Sequence, residues 1–455
     1  MPESDPGPVC ALEYRYGRDE VRFLFSREDR LRRALLVEAS LAQAEAEVGL
    51  IPAEAAQAIV RAVEEGGVSL ERVDALEREL KHDVMAITRA LAERSGAGAR
   101  WVHYGATSND ITDTAFGLEL KASAGILRHD LTDLARALAN LARTHRATPE
   151  LGRTHGQVAV PLSFGYKMAV AAAEVVRHRR RLDELLPRLA VGKMSGAVGT
   201  GAGFGREAER VERLVMDRLG LKADEAPTQI VGRDRIAEFT NLLALIAGTC
   251  ERLATEVRNL QRTEIGEVSE WFDEQRQVGS STMAQKRNPM LSENVTSLAR
   301  VVRSLALPPL ENMSLWHERD LTNSAAERIV LPHAVILADD ILAKLIDVFQ
   351  RLVVDSARMG RNLAELGGAA MSEALMLALT QRGLPRGEAH ELLRTITRDL
   401  GPRDSISDRA KANAEVLRWI RPPELDELLD PARYVEAAAA KTDRVLRWLE
   451  PELGP

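Results

Sequence analysis

The sequence is poor in cysteine and has no long apolar run. Of its 455 residues only Cys10 and Cys250 are cysteines, too few and too far apart for a disulfide framework or a zinc site. We expect both to be reduced thiols, with Cys250 in the core of a helix. No run of 18 apolar residues occurs, and the N-terminus has acidic residues and prolines where a signal peptide has basic and then apolar ones. These absences predict a cytoplasmic protein without a membrane partner.

A basic block is also lacking. The net charge of -7 is spread along the chain, so we expect no nucleic-acid partner. The length corresponds to roughly three folding units of about 150 residues each. Glycine-rich stretches predict boundaries near residues 108 and 362. The predicted domains are an N-terminal helical domain at 1–107, a central long-helix bundle at 108–362 and a small C-terminal helical domain at 363–455.

Apolar residues recur at helical spacing through the middle of the chain. Aromatic residues make up only 4% of the sequence and alternating strand patterns are scarce, so the predicted fold class is all-α with a bundle of long helices. Five long helices are predicted around the apolar stripes Leu127 to Leu141, Phe164 to Leu186, Leu242 to Leu260, Leu291 to Leu305 and Leu331 to Leu352. Some of these helices are apolar on more than one face, which predicts burial against other subunits.

Three polar segments each precede a predicted long helix. They are HYGATSND at 103–110, RTHGQ at 153–157 and GSSTMAQKRNP at 279–289, and we expect Pro161 and Pro289 to begin the helices after the second and third. Serine, threonine, asparagine and aspartate are ordinary helix caps, which would explain any one segment alone. Together with histidine and lysine they also suit an anionic ligand, because helix N-termini present N–H groups and a partial positive charge.

Two histidines in polar surroundings are candidates for proton transfer. His155 lies between Thr154 and Gly156, outside the apolar stripe, and imidazole is an effective acid or base near neutral pH. A structural role is the alternative for His155. His82 lies off the stripe of its own helix, so a solvated and a functional histidine are equal interpretations.

Two further segments have competing interpretations. The segment 315–328 places Arg319, Ser324 and Arg328 at spacings of five and four, which suits either a charged surface or a phosphate site. The glycine-rich segment 196–205 matches neither a phosphate loop nor a dinucleotide fingerprint. A close-packed turn between helices is therefore favoured for it.

These motifs together resemble the fumarase/aspartase superfamily of lyases, and within it the adenylosuccinate lyase family. The similar segments are GSSTMAQKRNP at 279–289, HYGATSNDITDTA at 103–115, RTHGQ at 153–157, PTQIVGRD at 227–234 and WHERDLTNSAAER at 316–328. The resemblance implies an all-helical homotetramer with active sites shared by three subunits. It also implies elimination of fumarate from a nucleotide-linked succinate without a metal or organic cofactor. The expected substrates are adenylosuccinate, giving AMP, and succinylaminoimidazole-carboxamide ribotide, giving AICAR.

The resemblance also assigns roles to residues. Breaking a C–N bond beta to a carboxylate requires a base for the carbon proton, support for the developing charge and an acid for the nitrogen. By resemblance Ser280 is the base, His155 is the acid, and His82 assists His155 or contacts the substrate. Lys286 and Asn288 would hold the succinyl carboxylate. The other implied substrate-binding residues are Thr107, Ser108 and Gln229 for the succinyl part, Arg15, Tyr16, Arg319, Ser324 and Arg328 for a phosphate, and His103, Thr154 and Glu293 nearby.

The signature loop departs from the family pattern at two positions. Ala284 stands where the family has proline, which enlarges the ensemble of open loops at a cost of roughly 0.4 to 1 kcal/mol. Gln285 replaces the common histidine and is reminiscent of the argininosuccinate branch. A related lyase acting on another succinyl-amine is therefore the alternative. A silent scaffold would be indicated by loss of Ser280, His155 or Lys286, and all three are present.

Overall fold

The computed structural model describes residues 10–279, 282–283, 285–366, 369–400 and 404–454. Contacts within the chain define two compact units, each built from separate segments. The first unit comprises 1–130, 178–250 and 297–343, and the second comprises 131–177, 251–296 and 344–455. The three-domain division at residues 108 and 362 stays a prediction.

The described residues are mainly helical, as predicted. The helices before residue 290 are α1 (Asp19–Leu24), α2 (Arg27–Glu47), α3 (Ala53–Glu64), α4 (Leu70–Leu80), α5 (Asp83–Arg94), α6 (Ser108–Thr144), α7 (Phe164–Leu189), α8 (Ala208–Leu219) and α9 (Asp234–Leu260). The later helices are α10 (Met290–Ser304), α11 (Leu307–Glu311), α12 (Ser324–Gln350), α13 (Ser356–Leu366), α14 (Ser372–Gln381), α15 (Arg386–Thr397), α16 (Ile406–Lys411), α17 (Ala414–Leu417), α18 (Pro422–Leu428) and α19 (Ala432–Leu453). Short 3-10 helices span Ala11–Glu13, Gly96–Trp101 and Ala202–Glu207. The five predicted long helices correspond to α6, α7, α9, α10 and α12, which confirms the all-α fold class.

Within the described residues, six strands form three two-stranded sheets. Antiparallel pairs join β1 (Pro149–Thr154) to β2 (Gln157–Ser163) and β5 (Val268–Ser269) to β6 (Val353–Val354), while β3 (Val191–Gly192) and β4 (Lys222–Ala223) are parallel. The prediction that Pro161 begins a helix was wrong. Pro161 pairs with Leu151 in the first sheet, and α7 begins at Phe164. A two-stranded sheet accommodates proline because each strand has an edge that needs no N–H donor.

Local sequence signals explain several helix ends. Ser26 precedes α2 and accepts the N–H of Asp29 at 3.1 Å, and Ser69 does the same for Arg72 at 3.2 Å before α4. Gly220 ends α8 with a φ of 63°, a conformation that glycine adopts without strain. These capping groups satisfy helix-end N–H and C=O groups that would otherwise lack partners.

The apolar stripes of the helices are buried as their periodicity predicts. Leu127, Leu134 and Leu138 of α6 are each at most 1% exposed, and so is Cys250 of α9, as expected. Leu245 of α9 is 56% exposed even though the nearby Leu243 and Ile246 are buried. Among the described residues no helix is long and apolar enough to cross a membrane.

The glycine-rich segment 196–205 is a close-packed turn that continues into the 3-10 helix Ala202–Glu207, but it follows a strand and does not join two helices as predicted. It lies between β3 and α8, and Gly199 and Gly201 have φ values of 85° and 66°. A Cβ at Gly203 would lie 2.7 Å from the carbonyl oxygen of Gly105. Close approach of the backbone to the 103–110 segment therefore accounts for the glycines here.

A buried glutamate in α2 makes stability depend on pH. Glu45 is 0% exposed, and neither of its carboxyl oxygens has a hydrogen-bond partner among the described residues. Burial, and to a smaller extent the negative charge of Glu38, raises the pKa of Glu45 to about 9. Between the usual glutamate pKa of about 4.3 and this value, the folded state retains a proton that the unfolded state has released. This contribution therefore lowers the free energy of unfolding as pH rises through that window.

We expect Glu45→Gln to remove this pH dependence. At pH 9 the variant should melt about 1 °C above the wild type for each kcal/mol that the buried charge costs, while at pH 5 the two should nearly coincide. Thermal melting from pH 5 to pH 9 measures the difference. Glu64→Gln, at an exposed position of α3, is the control and should follow the wild-type profile. If the melting temperatures of Glu45→Gln and the wild type differ by the same amount at every pH, the prediction is contradicted.

Candidate functional site

A buried aspartate anchors the segment that leads into α6. The carboxylate of Asp110 is 0% exposed and accepts the N–H of Thr107 at 2.8 Å, of Ser195 at 2.9 Å and of Gly196 at 3.0 Å. It is also ion-paired with the ammonium group of Lys193, which is equally buried. The Asp110 carboxylate therefore holds the backbone at Thr107 against the glycine-rich turn.

Four of the predicted substrate-binding residues lie close together beside this anchor. The guanidinium of Arg319 donates a hydrogen bond to the side chain of Asn109 and lies 3.4 Å from Gln229 Oε1. Burial lowers the pKa of Arg319, although the charge of Asp113 opposes this effect. Because Asn109 directly follows Thr107 and Ser108, the structure places the backbone of this pair near Gln229 and Arg319.

A network of charged side chains contacts this cluster through Asn109. Asp113 accepts a hydrogen bond from Asn109 at 3.3 Å and two from the guanidinium of Arg233 at 2.7 and 3.0 Å. Arg233 Nε in turn lies 3.0 Å from Glu327 Oε1. Burial raises the pKa of Asp113, but the charge and hydrogen bonds of Arg233 outweigh burial and lower it. The network keeps Asn109 oriented toward Arg319.

His82 caps a helix and lies next to a second predicted arginine. Its Nδ1 accepts the N–H of Met85 at 3.3 Å, so a neutral ring carries its proton on Nε2. Arg328 Nη2 lies 3.0 Å from a carboxyl oxygen of Asp83, the next residue along the chain. The structure therefore places Arg328 near the His82 backbone, while the His82 side chain is about half exposed.

Arg15, Tyr16 and Ser324 are the remaining residues of the predicted phosphate site. Arg15 is exposed and Tyr16 is partly buried, just after the short helix at Ala11–Glu13. Ser324 is the first residue of α12. Their grouping into one phosphate site stays a prediction.

In the second unit, His155 lies at the tip of the β1–β2 hairpin. His155 and Gly156 have φ values of 54° and 73°, as a two-residue type I′ turn requires. Thr154 and His155 are both exposed. Below the tip, Arg153 donates hydrogen bonds of 2.9 and 2.7 Å to the buried carboxylate of Glu267. An exposed ring on an anchored turn fits a proton-transfer role better than a structural one.

The signature loop is partly described. Ser280 and Ala284 lie outside the described residues. Lys286 is exposed, and the side-chain amide of Asn288 donates to the carbonyl oxygen of Gly279 at 3.0 Å. The two described ends of the loop are therefore held together by Asn288.

The N-terminus of α10 already has an anionic partner within the chain. Glu270 accepts the N–H of Leu291 at 3.1 Å and both the N–H and the hydroxyl of Ser292 at 2.7 and 2.6 Å. Pro289 directly precedes the first residue of the helix, and Glu293 is exposed. The expectation that a ligand binds these N–H groups was wrong, because the carboxylate of Glu270 caps them.

The sequence of the chain matches known families over most of its length. Residues 13–304 match the family described as Lyase, and residues 368–445 match that described as Adenylosuccinate lyase C-terminus. An adenylosuccinate lyase from Methanothermobacter thermautotrophicus is 45% identical over 447 residues, which cover 97% of this chain and 100% of the relative. One from Streptococcus mutans is 38% identical, covering 95% of this chain and 98% of the relative. The chain belongs to the adenylosuccinate lyase family.

Solved structures support the same superfamily fold. A fumarate lyase from Mesorhizobium sp. BNC1 matches with a TM-score of 0.87 and 31% identity, covering 97% of this chain and 100% of that one. A 3-carboxy-cis,cis-muconate lactonizing enzyme from Pseudomonas putida also matches with a TM-score of 0.87 and 32% identity, covering 98% and 99%. This member of the adenylosuccinate lyase family therefore has the fumarase/aspartase fold.

Sequence reasoning missed the residues that support the site of this adenylosuccinate lyase family member. Asp110, Arg233 and Glu327 stand inside the motifs that carried the resemblance, but nothing in their spacing indicated which partners they contact. Glu270 and Glu267 lie outside those motifs and carried no local signal. Each acts through a neighbour distant in sequence, which only the folded chain reveals.

We expect Gly279→Ala to disturb the signature loop. A Cβ at Gly279 would overlap the carbonyl oxygen of Lys286, so the loop backbone must shift. Misplacement by about 1 Å should lower kcat/KM roughly 10- to 100-fold. Steady-state fumarate release measures the loss. In Gly387→Ala, an exposed control in α15 with open space around the added Cβ, activity should be unchanged. Wild-type activity in Gly279→Ala would show that the loop tolerates the shift.

Proposed function

We propose that this protein eliminates fumarate from adenylosuccinate, giving AMP, and from succinylaminoimidazole-carboxamide ribotide, giving AICAR. The proposal rests mainly on the 45% identity with an adenylosuccinate lyase over essentially the full length of both chains. The spatial cluster of Thr107, Ser108, Gln229 and Arg319 adds to it, because hydroxyl, amide and guanidinium groups are suitable donors to carboxylate or phosphate.

Two proton transfers carry the proposed reaction. Ser280, as an alkoxide, removes the proton from the carbon next to one succinyl carboxylate, and the C–N bond on the neighbouring carbon breaks. The electron pair of that bond goes to nitrogen, which takes a proton from His155 while fumarate forms. Lys286 and Asn288 hold the carboxylate whose charge develops. His82 assists His155 or contacts the substrate directly.

The remaining predicted residues bind the rest of the substrate. Arg15, Tyr16, Arg319, Ser324 and Arg328 would bind the nucleotide phosphate, since guanidinium groups match phosphate oxygens. Further substrate contacts are assigned to His103, Thr154 and Glu293. The half-buried Arg319 and the exposed Arg328 are cations that a phosphate could reach.

The proposed assembly is a cytoplasmic homotetramer whose active sites combine residues of three subunits. Large apolar side chains on two long helices support it: Leu245 of α9 is 56% exposed and Ile329 of α12 is 61% exposed. Such side chains are suited to burial against other copies of the chain. Light scattering on the purified protein tests the assembly, and a monomer at micromolar concentration would contradict it.

A related lyase that acts on another succinyl-amine is the second candidate. Gln285 favours it, because the adenylosuccinate lyase pattern has histidine at that position. Incubation with adenylosuccinate and, separately, with argininosuccinate distinguishes the two candidates when fumarate is followed by proton NMR. We expect fumarate from adenylosuccinate alone. Its absence from that reaction, in protein that is tetrameric, would contradict the proposed function, and fumarate from argininosuccinate alone would establish the alternative.

A further inference from the structure

A buried glutamate binds the ring of His103. The Nδ1 atom of His103 lies 2.7 Å from Glu38 Oε1, and the side chains are 15% and 1% exposed. Glu38 lies in the middle of α2, so its carboxylate is held by a regular helix. His103 has a φ of 63° at the start of the 103–110 segment, a conformation that few residues other than glycine adopt. The contact fixes the ring of a predicted substrate-binding residue against the core.

The charged groups around the ring lie in α2, in α6 and in the segment after β3. Burial by itself lowers the pKa of His103, but the hydrogen bond and charge of Glu38, with the charge of Asp110, outweigh burial and raise it. Asp110 is itself ion-paired with Lys193, so Glu38 is the main partner of the ring. Glu45, seven residues further along α2, has a pKa of about 9 and is neutral at pH 7. Glu38 and Asp110 therefore favour the imidazolium form of His103.

We propose that Glu38 is a positioning residue: through His103 Nδ1 it orients the ring and keeps His103 Nε2 as a charged hydrogen-bond donor to an anionic group of the substrate. With Nδ1–H bound to the carboxylate, a neutral ring would offer only an acceptor at Nε2. The protonated ring offers an N–H and a positive charge, which suit a phosphate or a carboxylate oxygen. The ligand in this inference rests on the proposed function, but the protonation of the ring does not.

A purely structural tether between α2 and the 103–110 segment is the competing explanation. Glu38→Gln separates the two, because the amide oxygen of glutamine can still accept the Nδ1–H while the negative charge is lost. A tether would survive this change. An imidazolium would not, since its neutralising partner is gone and burial then favours the neutral ring.

Ligand binding to the full-length protein tests the proposal. Calorimetric titrations with AMP, fumarate and adenosine, each at pH 6.0 and 8.0, are made on the wild type and on Glu38→Gln. We expect Glu38→Gln to weaken the binding of either AMP or fumarate about tenfold at pH 8.0 and by less at pH 6.0. The binding of adenosine should be unchanged. Weaker AMP binding identifies the anion as phosphate, and weaker fumarate binding identifies it as carboxylate. Wild-type affinities for both anions at both pH values would overturn the proposal.

Steady-state kinetics separates positioning from general damage. Glu38→Gln should raise KM for adenylosuccinate about tenfold at pH 8.0 with a smaller change in kcat, and lower pH should restore KM. Glu38→Asp keeps the charge and should recover part of the loss. Glu45→Gln removes a carboxyl group that is already neutral and should leave KM unchanged. An unchanged KM in Glu38→Gln at both pH values would indicate a structural tether instead.

A titration without ligand keeps this test independent of the proposed function. Proton–nitrogen NMR of histidine-labelled protein follows the ring of His103, identified by its loss in His103→Asn. In Glu38→Gln the ring should lose its proton at lower pH than in the wild type. An unchanged titration would overturn the inference about Glu38. A shifted titration in a protein that binds neither AMP nor fumarate would uphold the charged ring and contradict the proposed function.

Discussion

Replacement of His155 by asparagine is expected to lower kcat for fumarate release by about 10²- to 10⁴-fold, the usual contribution of a general acid. The expected loss is chemical and not structural. His155 and Gly156 form a two-residue turn with φ values of 54° and 73°, and Asn-Gly is a favoured sequence for such a turn. The His155 side chain is also exposed, so its removal leaves no cavity. The melting temperature should therefore equal or exceed that of the wild type.

Kinetics and melting on the same preparation check this prediction. KM for adenylosuccinate should change much less than kcat, since the acid acts mainly in the transition state. Ser280→Ala is expected to show a loss of similar size for the same reason. If His155→Asn retains kcat within threefold of the wild type, His155 is not the acid. A large fall in melting temperature would instead show that the ring holds the hairpin together.

Replacement of Asp110 by asparagine should cost about 3 to 5 kcal/mol of unfolding free energy, because the ammonium group of Lys193 is left charged and buried without its partner. Both side chains are 0% exposed. For a protein of this size the loss corresponds to a fall in melting temperature of roughly 3 to 5 °C. Activity should fall as well, since Asp110 also holds the backbone N–H of Thr107.

A double variant shows whether the unpaired charge is the cause. Asp110→Asn combined with Lys193→Met removes both charges and should melt at a higher temperature than Asp110→Asn alone. Glu93→Gln, which breaks the exposed ion pair with Arg72, is the control and should leave the melting temperature unchanged. If the loss of stability in the double variant equals the sum of the losses in Asp110→Asn and Lys193→Met, the two buried charges are not energetically coupled.

The long helices could be predicted because their signal is local. Apolar residues every three or four positions define one face of a helix whatever that face contacts, and α6, α7, α9, α10 and α12 follow those stripes. The hairpin at His155 could not be predicted in the same way. Pro161 is compatible with both structures, since proline is common both at helix starts and on strand edges.

The candidate site was predictable as a set of residue types and not as a set of contacts. The motifs contained Thr107, Ser108, Gln229 and Arg319, and the structure brings them together through Asn109. The motifs also suggested ligand binding at helix N-termini, but that of α10 is capped from within the chain. A sequence cannot show this, because an N–H group is unavailable to a ligand when a carboxylate distant in sequence accepts a hydrogen bond from it.

The sequence by itself determined the all-helical fold class, the positions of the long helices and the resemblance to the adenylosuccinate lyase family, because these depend on periodicity and on residue types in short motifs. Only the tertiary structure decided that His155 lies at the tip of a hairpin, that Asp110 is buried with Lys193 and that His103 is bound to Glu38. The physical reason is distance along the chain: Asp110 and Lys193 are 83 residues apart, and Glu38 and His103 are 65 apart. Burial makes such pairs strong, and only folding creates burial.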